Sequence, residues 1–126
     1  MKKIQFHCAL LALILPLLAI VGCSKNSGPP PALTAAELPA AVEKAFEKAS
    51  PEAKELASQL VAAVQAKDFP KAYQNVQMLA GMPSLSKQQV SVASSAMATV
   101  NTLLQEAQAQ GDAKAAQAIQ IHRATK

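Results

Sequence analysis

The sequence predicts an all-α fold, a small bundle of about five short helices that lie antiparallel to their sequence neighbours. From about residue 39 onward, apolar residues recur at the spacing of a helix face. Residues that favour helix starts precede these stretches, and only very short breaks separate them. No sustained alternation of β-branched and aromatic residues indicates a strand.

Prolines near two helix starts define the first two predicted helices. Pro39 suits a first helical turn, so we place the start of the first helix there. Thr34 and Glu37 have the spacing of a capping box, but a helix begun at that point would carry Pro39 beyond its first turn. Ser50 and Pro51 begin the second helix, which extends to about residue 67. The apolar faces of the two helices comprise Leu38, Val42, Ala45, Phe46 and Ala49, then Ala53, Leu56, Ala57, Leu60 and Val64.

Polar caps also begin the third and fourth predicted helices. Asp68 can cap the third helix, which ends before Gly81. Ser86 and Gln89 form a capping box for the fourth helix, which extends to about residue 110. Their apolar faces comprise Phe69, Ala72, Tyr73, Val76, Leu79 and Ala80, then Val90, Ala93, Met97, Val100, Leu104 and Ala107.

The turn before the fifth helix repeats features of the turn before the third. Gly111 stops the fourth helix, and Asp112 caps a fifth that extends to about residue 123. Asp68 and Ala72 recur 44 residues later as Asp112 and Ala116. This pattern resembles the turn of tetratricopeptide-type helical hairpins, although that family repeats every 34 or so residues, about ten fewer than here. We interpret it as a general helical-hairpin feature.

The first 23 residues have the layout of a secretory signal peptide. Lys2 and Lys3 give a positive start, an apolar run covers residues 9–21, and Gly22 and Cys23 follow. The segment Ile20-Val21-Gly22-Cys23 resembles the lipobox of bacterial lipoproteins.

The lipobox resemblance implies processing and a location. Residues 1–22 would be removed, the Cys23 sulfur would carry a diacylglycerol, and the freed amine would be acylated, with palmitate as the expected chain. Ser24 stands where the family's inner-membrane retention signal has Asp, which implies the outer membrane, facing the periplasm. No other cofactor is expected.

Two other interpretations of this segment stay open. Residues 4–21 are near the lower length limit for a membrane span, but Gln5, His7 and Pro16 interrupt them, and no positive cluster follows. Ordinary signal-peptide cleavage without lipidation is the second alternative.

Processing would leave 104 residues, enough for one small domain. We divide them into a tether at residues 23–38, which contains three consecutive prolines, and a helical domain at residues 39–126. Loss of Lys2 and Lys3 lowers the formal net charge from +4 to +2, so the basicity indicates no nucleic-acid partner. With Cys8 removed and Cys23 lipidated, no thiol remains for a disulfide or a metal.

The sequence offers few residues for catalysis, so we expect no enzyme and no metal site. His122 is the one histidine of the processed chain, and we interpret it as a surface residue that helps to cap the last helix. Asp68 and Asp112 have equivalent positions at helix starts, so capping explains both carboxylates.

Two features indicate a binding or structural function. Val92 and Leu103 lie off the main apolar face of the fourth helix and widen it, so they could form an interaction surface, although internal packing also explains such a face. We therefore predict a protein-interaction or envelope-scaffolding module whose partner is an envelope protein. The alternative is attachment to peptidoglycan through Lys126, because a final lysine resembles the ending of the murein lipoprotein family.

Overall fold

The computed structural model describes residues 30–126, and within them all regular structure is α-helical. The elements are α1 (Leu38–Phe46), α2 (Pro51–Gln65), α3 (Phe69–Ala80), α4 (Lys87–Ala109) and α5 (Ala113–Ala124). The predicted all-α fold with five helices is confirmed for this part of the chain. The predicted leader and the lipobox lie outside the described residues.

Four of the helices form a ring. Each of α1 to α4 packs on two neighbours, because α4 returns to contact α1 as well as α3. Helix α5 lies outside this ring, against α4 and, through fewer residues, α3. Within residues 30–126, none of the helices combines the length and apolar character that a membrane span requires.

The folded domain begins earlier than the predicted boundary at residue 39. The Thr34 amide donates to the Glu37 carboxylate at 3.0 Å, and the Glu37 amide donates to the Thr34 hydroxyl at 3.2 Å. The capping box is therefore formed, as a turn that leads into α1. Leu38 at the start of α1 is fully buried, and Pro39 occupies an early helical position where its missing N–H costs little.

Leu33 also belongs to the folded domain. Its side chain is partly buried against the core, and its carbonyl accepts a hydrogen bond from the Thr99 hydroxyl on α4. Leu33 and Leu38, which the sequence placed in the tether, thus pack on the domain, and residues 34–37 form an exposed turn between them. The sequence could not reveal this, because the contact joins positions 66 residues apart.

The four remaining predicted caps are present. Ser50, Asp68, Ser86 and Asp112 each accept a backbone N–H from the first turn of the helix that follows. Ser86 and Gln89 form a reciprocal capping box, with N···O distances of 2.9 and 3.2 Å. Each cap satisfies backbone donors that a helix start otherwise leaves unpaired.

The turns after α2 and α4 share one geometry. Lys67 and Gly111 have positive φ values of 57° and 90°, and they are followed by Asp68 and Asp112. Each aspartate amide donates to a carbonyl five residues earlier, at 2.9 and 3.0 Å, which completes a Schellman motif. The predicted stop at Gly111 is confirmed, whereas Lys67 adopts a backbone conformation that favours glycine.

The core is rich in alanine, with larger side chains spaced between close helices. Most of the predicted face residues are buried or partly buried, but Val90 and Ala80 are exposed. Val61 and Ala63 are buried although the predicted faces omitted them. The largest fully buried side chains are Phe46, Leu38, Leu60, Leu79, Leu104, Val42, Val76 and Val100.

Candidate functional site

The solvent-facing side of α3 is flanked by two grooves, and Gln77 lines both of them. The α3–α5 groove has a volume of about 540 Å³, and the α2–α3 groove has a volume of about 450 Å³. The α3–α5 groove is lined by Pro70, Tyr73, Gln74, Gln77, Lys114, Gln117, Ala118, Ile121, His122 and Thr125. The α2–α3 groove is lined by Glu52, Glu55, Leu56, Gln77, Met78, Gly81 and Met82. We call the two grooves together the α3 surface.

The two grooves differ in charge. Among the described residues that line the α3–α5 groove, the charged side chain is Lys114. The charged residues of the described lining of the α2–α3 groove are Glu52 and Glu55. Glu55 also accepts a hydrogen bond from the Gln59 amide at 2.8 Å. The α3 surface therefore has a basic half and an acidic half.

Each groove also contains an exposed large apolar side chain. Met78 in the α2–α3 groove is 52% exposed, and Ile121 in the α3–α5 groove is 57% exposed. Leu56 and Met82 line the same groove as Met78 and are partly buried against the core. They extend the apolar surface of the groove from Met78 toward the core. Exposed apolar side chains beside charged residues are typical of a protein-binding surface.

An aromatic contact lies between α3 and α5 at the basic groove. The Tyr73 hydroxyl oxygen is 3.1 Å from both ring nitrogens of His122, and the two rings meet edge to face with centroids 5.3 Å apart. Tyr73 is buried and His122 is partly buried. His122 lies in the last turn of α5, as expected, but its ring nitrogens contact Tyr73 and not a helix carbonyl. Instead, the Thr125 hydroxyl donates to carbonyls in the last turn of α5.

The residues proposed from the sequence as an interaction surface lie elsewhere. Val92 is partly buried and packs against the core, and Leu103 is partly buried on the same helix. Neither lines the α3 surface. The sequence did not reveal the α3 surface, because each groove combines residues of two helices whose pairing follows from the tertiary fold.

The remaining predicted site residues have separate positions. Cys23 lies outside the described residues. Lys126 is exposed, two residues after the end of α5, and it lines a smaller pocket of about 240 Å³ on the α4 side of that helix. Asp68 and Asp112 cap helices, as predicted. Within residues 30–126, no group of three or more His, Cys, Asp or Glu side chains is placed to hold a metal ion.

Comparison of this chain with protein-family models, with curated proteins and with solved structures gives no match. The lipobox residues of the sequence and the charge, exposure and shape of the α3 surface are therefore the features that bear on function.

Proposed function

We propose that this chain is a lipid-anchored lipoprotein of the bacterial envelope whose helical domain binds another protein through the α3 surface. The observation that carries the binding role is the pairing of two adjoining grooves with opposite charge, each containing an exposed apolar residue, Met78 or Ile121. A partner that covers these side chains removes apolar area from water, which favours association.

The proposed anchor is the lipid on Cys23, in a segment that resembles the bacterial lipobox. Burial of acyl chains contributes about 0.8 kcal/mol per CH₂, so two or three chains on one residue give durable attachment where one chain does not. Residues 24–32 separate Cys23 from Leu33, the first described side chain that packs on the core, and the ten residue steps between these two positions can span at most about 36 Å. The domain would thus stay close to the membrane, where confinement raises its effective concentration for a partner.

The α3 surface favours binding over catalysis. Its polar lining includes the side-chain amides of Gln74, Gln77 and Gln117, which can donate and accept hydrogen bonds but have no acid–base function near neutral pH. Tyr73 and His122 contact each other, and no serine or cysteine is among the described residues that line either groove. We therefore propose a non-enzymatic function.

The anchor can be tested by substitution of its attachment residue. Cys23→Ser removes the thiol that would be lipidated, and we expect the chain to leave the membrane fraction or to retain its leader. Cys8→Ser is the matched control, because it makes the same chemical change within the leader and should leave anchoring intact. Equal membrane retention and identical processing of both variants would contradict the lipid anchor.

The binding role can be tested by photocrosslinking in intact cells. A photoreactive residue at Met78 or Ile121 should give discrete adducts with protein, because both side chains are exposed on the α3 surface. Val90 is the matched control, since it is 48% exposed and lies outside both grooves. Adducts of equal yield at all three positions, or none at any, would contradict the proposal. A muropeptide on Lys126 would support the attachment role instead.

A further inference from the structure

We infer that the partner at the α3 surface is a second copy of this chain, bound about a two-fold axis that passes beside Gln77. This inference rests on the proposed function, since it names the protein that the α3 surface binds. Three observations carry it: the opposite charges of the two grooves, the position of Gln77 between them, and the exposed apolar residue in each.

The charges of the two grooves complement each other. Lys114 contributes a cation to the α3–α5 groove, and Glu52 and Glu55 contribute two carboxylates to the α2–α3 groove. A surface with one basic half and one acidic half fits a partner with the same two halves in reversed order. A second copy of the same surface, rotated by 180°, has that arrangement.

The shared residue defines where the axis would lie. Gln77 lines both grooves, so the grooves adjoin on one surface. A two-fold axis beside Gln77, in the plane of the interface and perpendicular to the line that joins the grooves, exchanges them. Each copy would then place Lys114 and Ile121 opposite Glu52, Glu55 and Met78 of the other copy. Every contact would occur twice, as in isologous dimers.

The apolar residues agree with the same pairing. Met78 and Ile121 are both more than half exposed, and the rotation brings each against the other in the second copy. The unbranched thioether side chain of methionine adapts to irregular apolar surfaces. Anchoring in one membrane would confine both copies to a thin layer, so that a modest interface could suffice.

The first test uses the symmetry of the proposed dimer. A residue beside a two-fold axis meets its own copy, so the full chain with Gln77→Cys should form a disulfide-linked dimer in membranes under mild oxidation. The parent chain and a Gln120→Cys variant are the controls, because Gln120 is exposed on α5 and lines neither groove. Dimer yields at Gln77 no higher than in both controls would overturn the inference.

The second test exchanges the charges in the Gln77→Cys background. Lys114→Glu or Glu55→Lys alone places like charges opposite each other twice, so we expect the dimer yield to fall by about tenfold. The double variant with both Lys114→Glu and Glu55→Lys places opposite charges against each other again and should restore the dimer yield. Lys87→Glu and Glu106→Lys make the same changes at exposed positions outside both grooves and should leave the yield unchanged. Failure of the double variant to recover would overturn the inference.

The photocrosslinks at Met78 and Ile121 separate this inference from the proposed function. Adducts that contain two copies of this chain support both. Adducts with a different protein, abolished by Lys114→Glu and not restored by the double variant, would overturn the second-copy inference and leave the binding function standing. Absence of any adduct would overturn both.

Discussion

The Tyr73 hydroxyl lies 3.1 Å from the imidazole of His122, which is 49 residues further along the chain. The two rings meet edge to face, with an interplanar angle of 82°. This contact joins α3 to α5, the helix outside the ring of four. Because both residues line the α3–α5 groove, the contact also helps to define the shape of the α3 surface.

Loss of the Tyr73 hydroxyl should weaken the attachment of α5. Tyr73→Phe keeps the ring and removes the hydrogen bond, so we expect the free energy of unfolding to fall by about 1 kcal/mol. Urea unfolding measures this change, and hydrogen exchange should accelerate in α5. In a His122→Leu background the same substitution should cost much less, because the partner is already absent. Equal costs in both backgrounds would show that the contact contributes nothing.

Glycine at Lys67 should stabilise the domain. The φ of 57° is unfavourable for a residue with a side chain by about 1–2 kcal/mol, and glycine at this position avoids that cost. Glycine also has greater freedom in the unfolded chain, which offsets about 0.4–1 kcal/mol of the stabilisation. We therefore expect Lys67→Gly to raise the free energy of unfolding by about 0.5–1 kcal/mol. Ala66→Gly is the matched control, because its φ of −77° gives glycine no advantage, and it should destabilise. A melting temperature lower for Lys67→Gly than for Ala66→Gly would show that the positive φ of Lys67 is not a source of strain.

Replacement of a buried amide on α3 by an apolar side chain of similar size should stabilise the domain. Asn75 is 3% exposed, and its side-chain nitrogen finds no hydrogen-bond partner among residues 30–126. Asn75→Leu has a similar size and removes the unpaired donor, so we expect an unfolding free energy about 1 kcal/mol higher. Asn75→Ala removes the same group but leaves a cavity, and it should be the less stable variant. A lower melting temperature for Asn75→Leu than for the parent would show that the amide is paired.

The capping box before α1 should respond to acid. Hydrogen bonds from the side chain and then the backbone of Thr34 lower the pKa of the Glu37 carboxyl from its ordinary value of 4.5. Because the pKa of Glu37 is lower in the folded state than in the unfolded state, its ionised carboxylate stabilises the domain at pH values above the unfolded-state pKa. This stabilisation is lost as the pH falls through the folded-state pKa.

NMR titration of the Glu37 carboxyl measures this directly. Its pKa should rise toward the ordinary value in Thr34→Ala, because that substitution removes the hydroxyl that donates to the carboxylate. Thr102→Ala is the control, since its hydroxyl bonds within α4 and is remote in sequence. An unchanged pKa of Glu37 in Thr34→Ala would show that the Thr34 hydroxyl does not lower it.

Most helix starts were predictable, because their signals are local. The cap residues Ser50, Asp68, Ser86 and Asp112 hydrogen-bond to backbone amides within three residues, so their spacing in the sequence contains the required information. The conformation of Lys67 was not predictable, because nothing in the local sequence marks a lysine for positive φ.

The features that depend on tertiary contacts were missed for one physical reason. Leu33 joins the domain through a contact with Thr99, and His122 is partly buried through a contact with Tyr73; both pairs are far apart in the chain. The grooves beside Gln77 likewise need the helix arrangement before their linings can be named. The sequence alone led to Val92 and Leu103 on α4, because periodicity marks apolar faces without showing which neighbour covers them.

The mass of the amino-terminal peptide of the processed chain, purified from bacterial membranes, tests the lipid anchor most directly. We predict a peptide that begins at Cys23, with a diacylglycerol on the sulfur and an acyl chain on the amine. An unmodified Cys23, or a chain that still carries residues 1–22, would contradict the proposed anchor and with it the location at the envelope membrane.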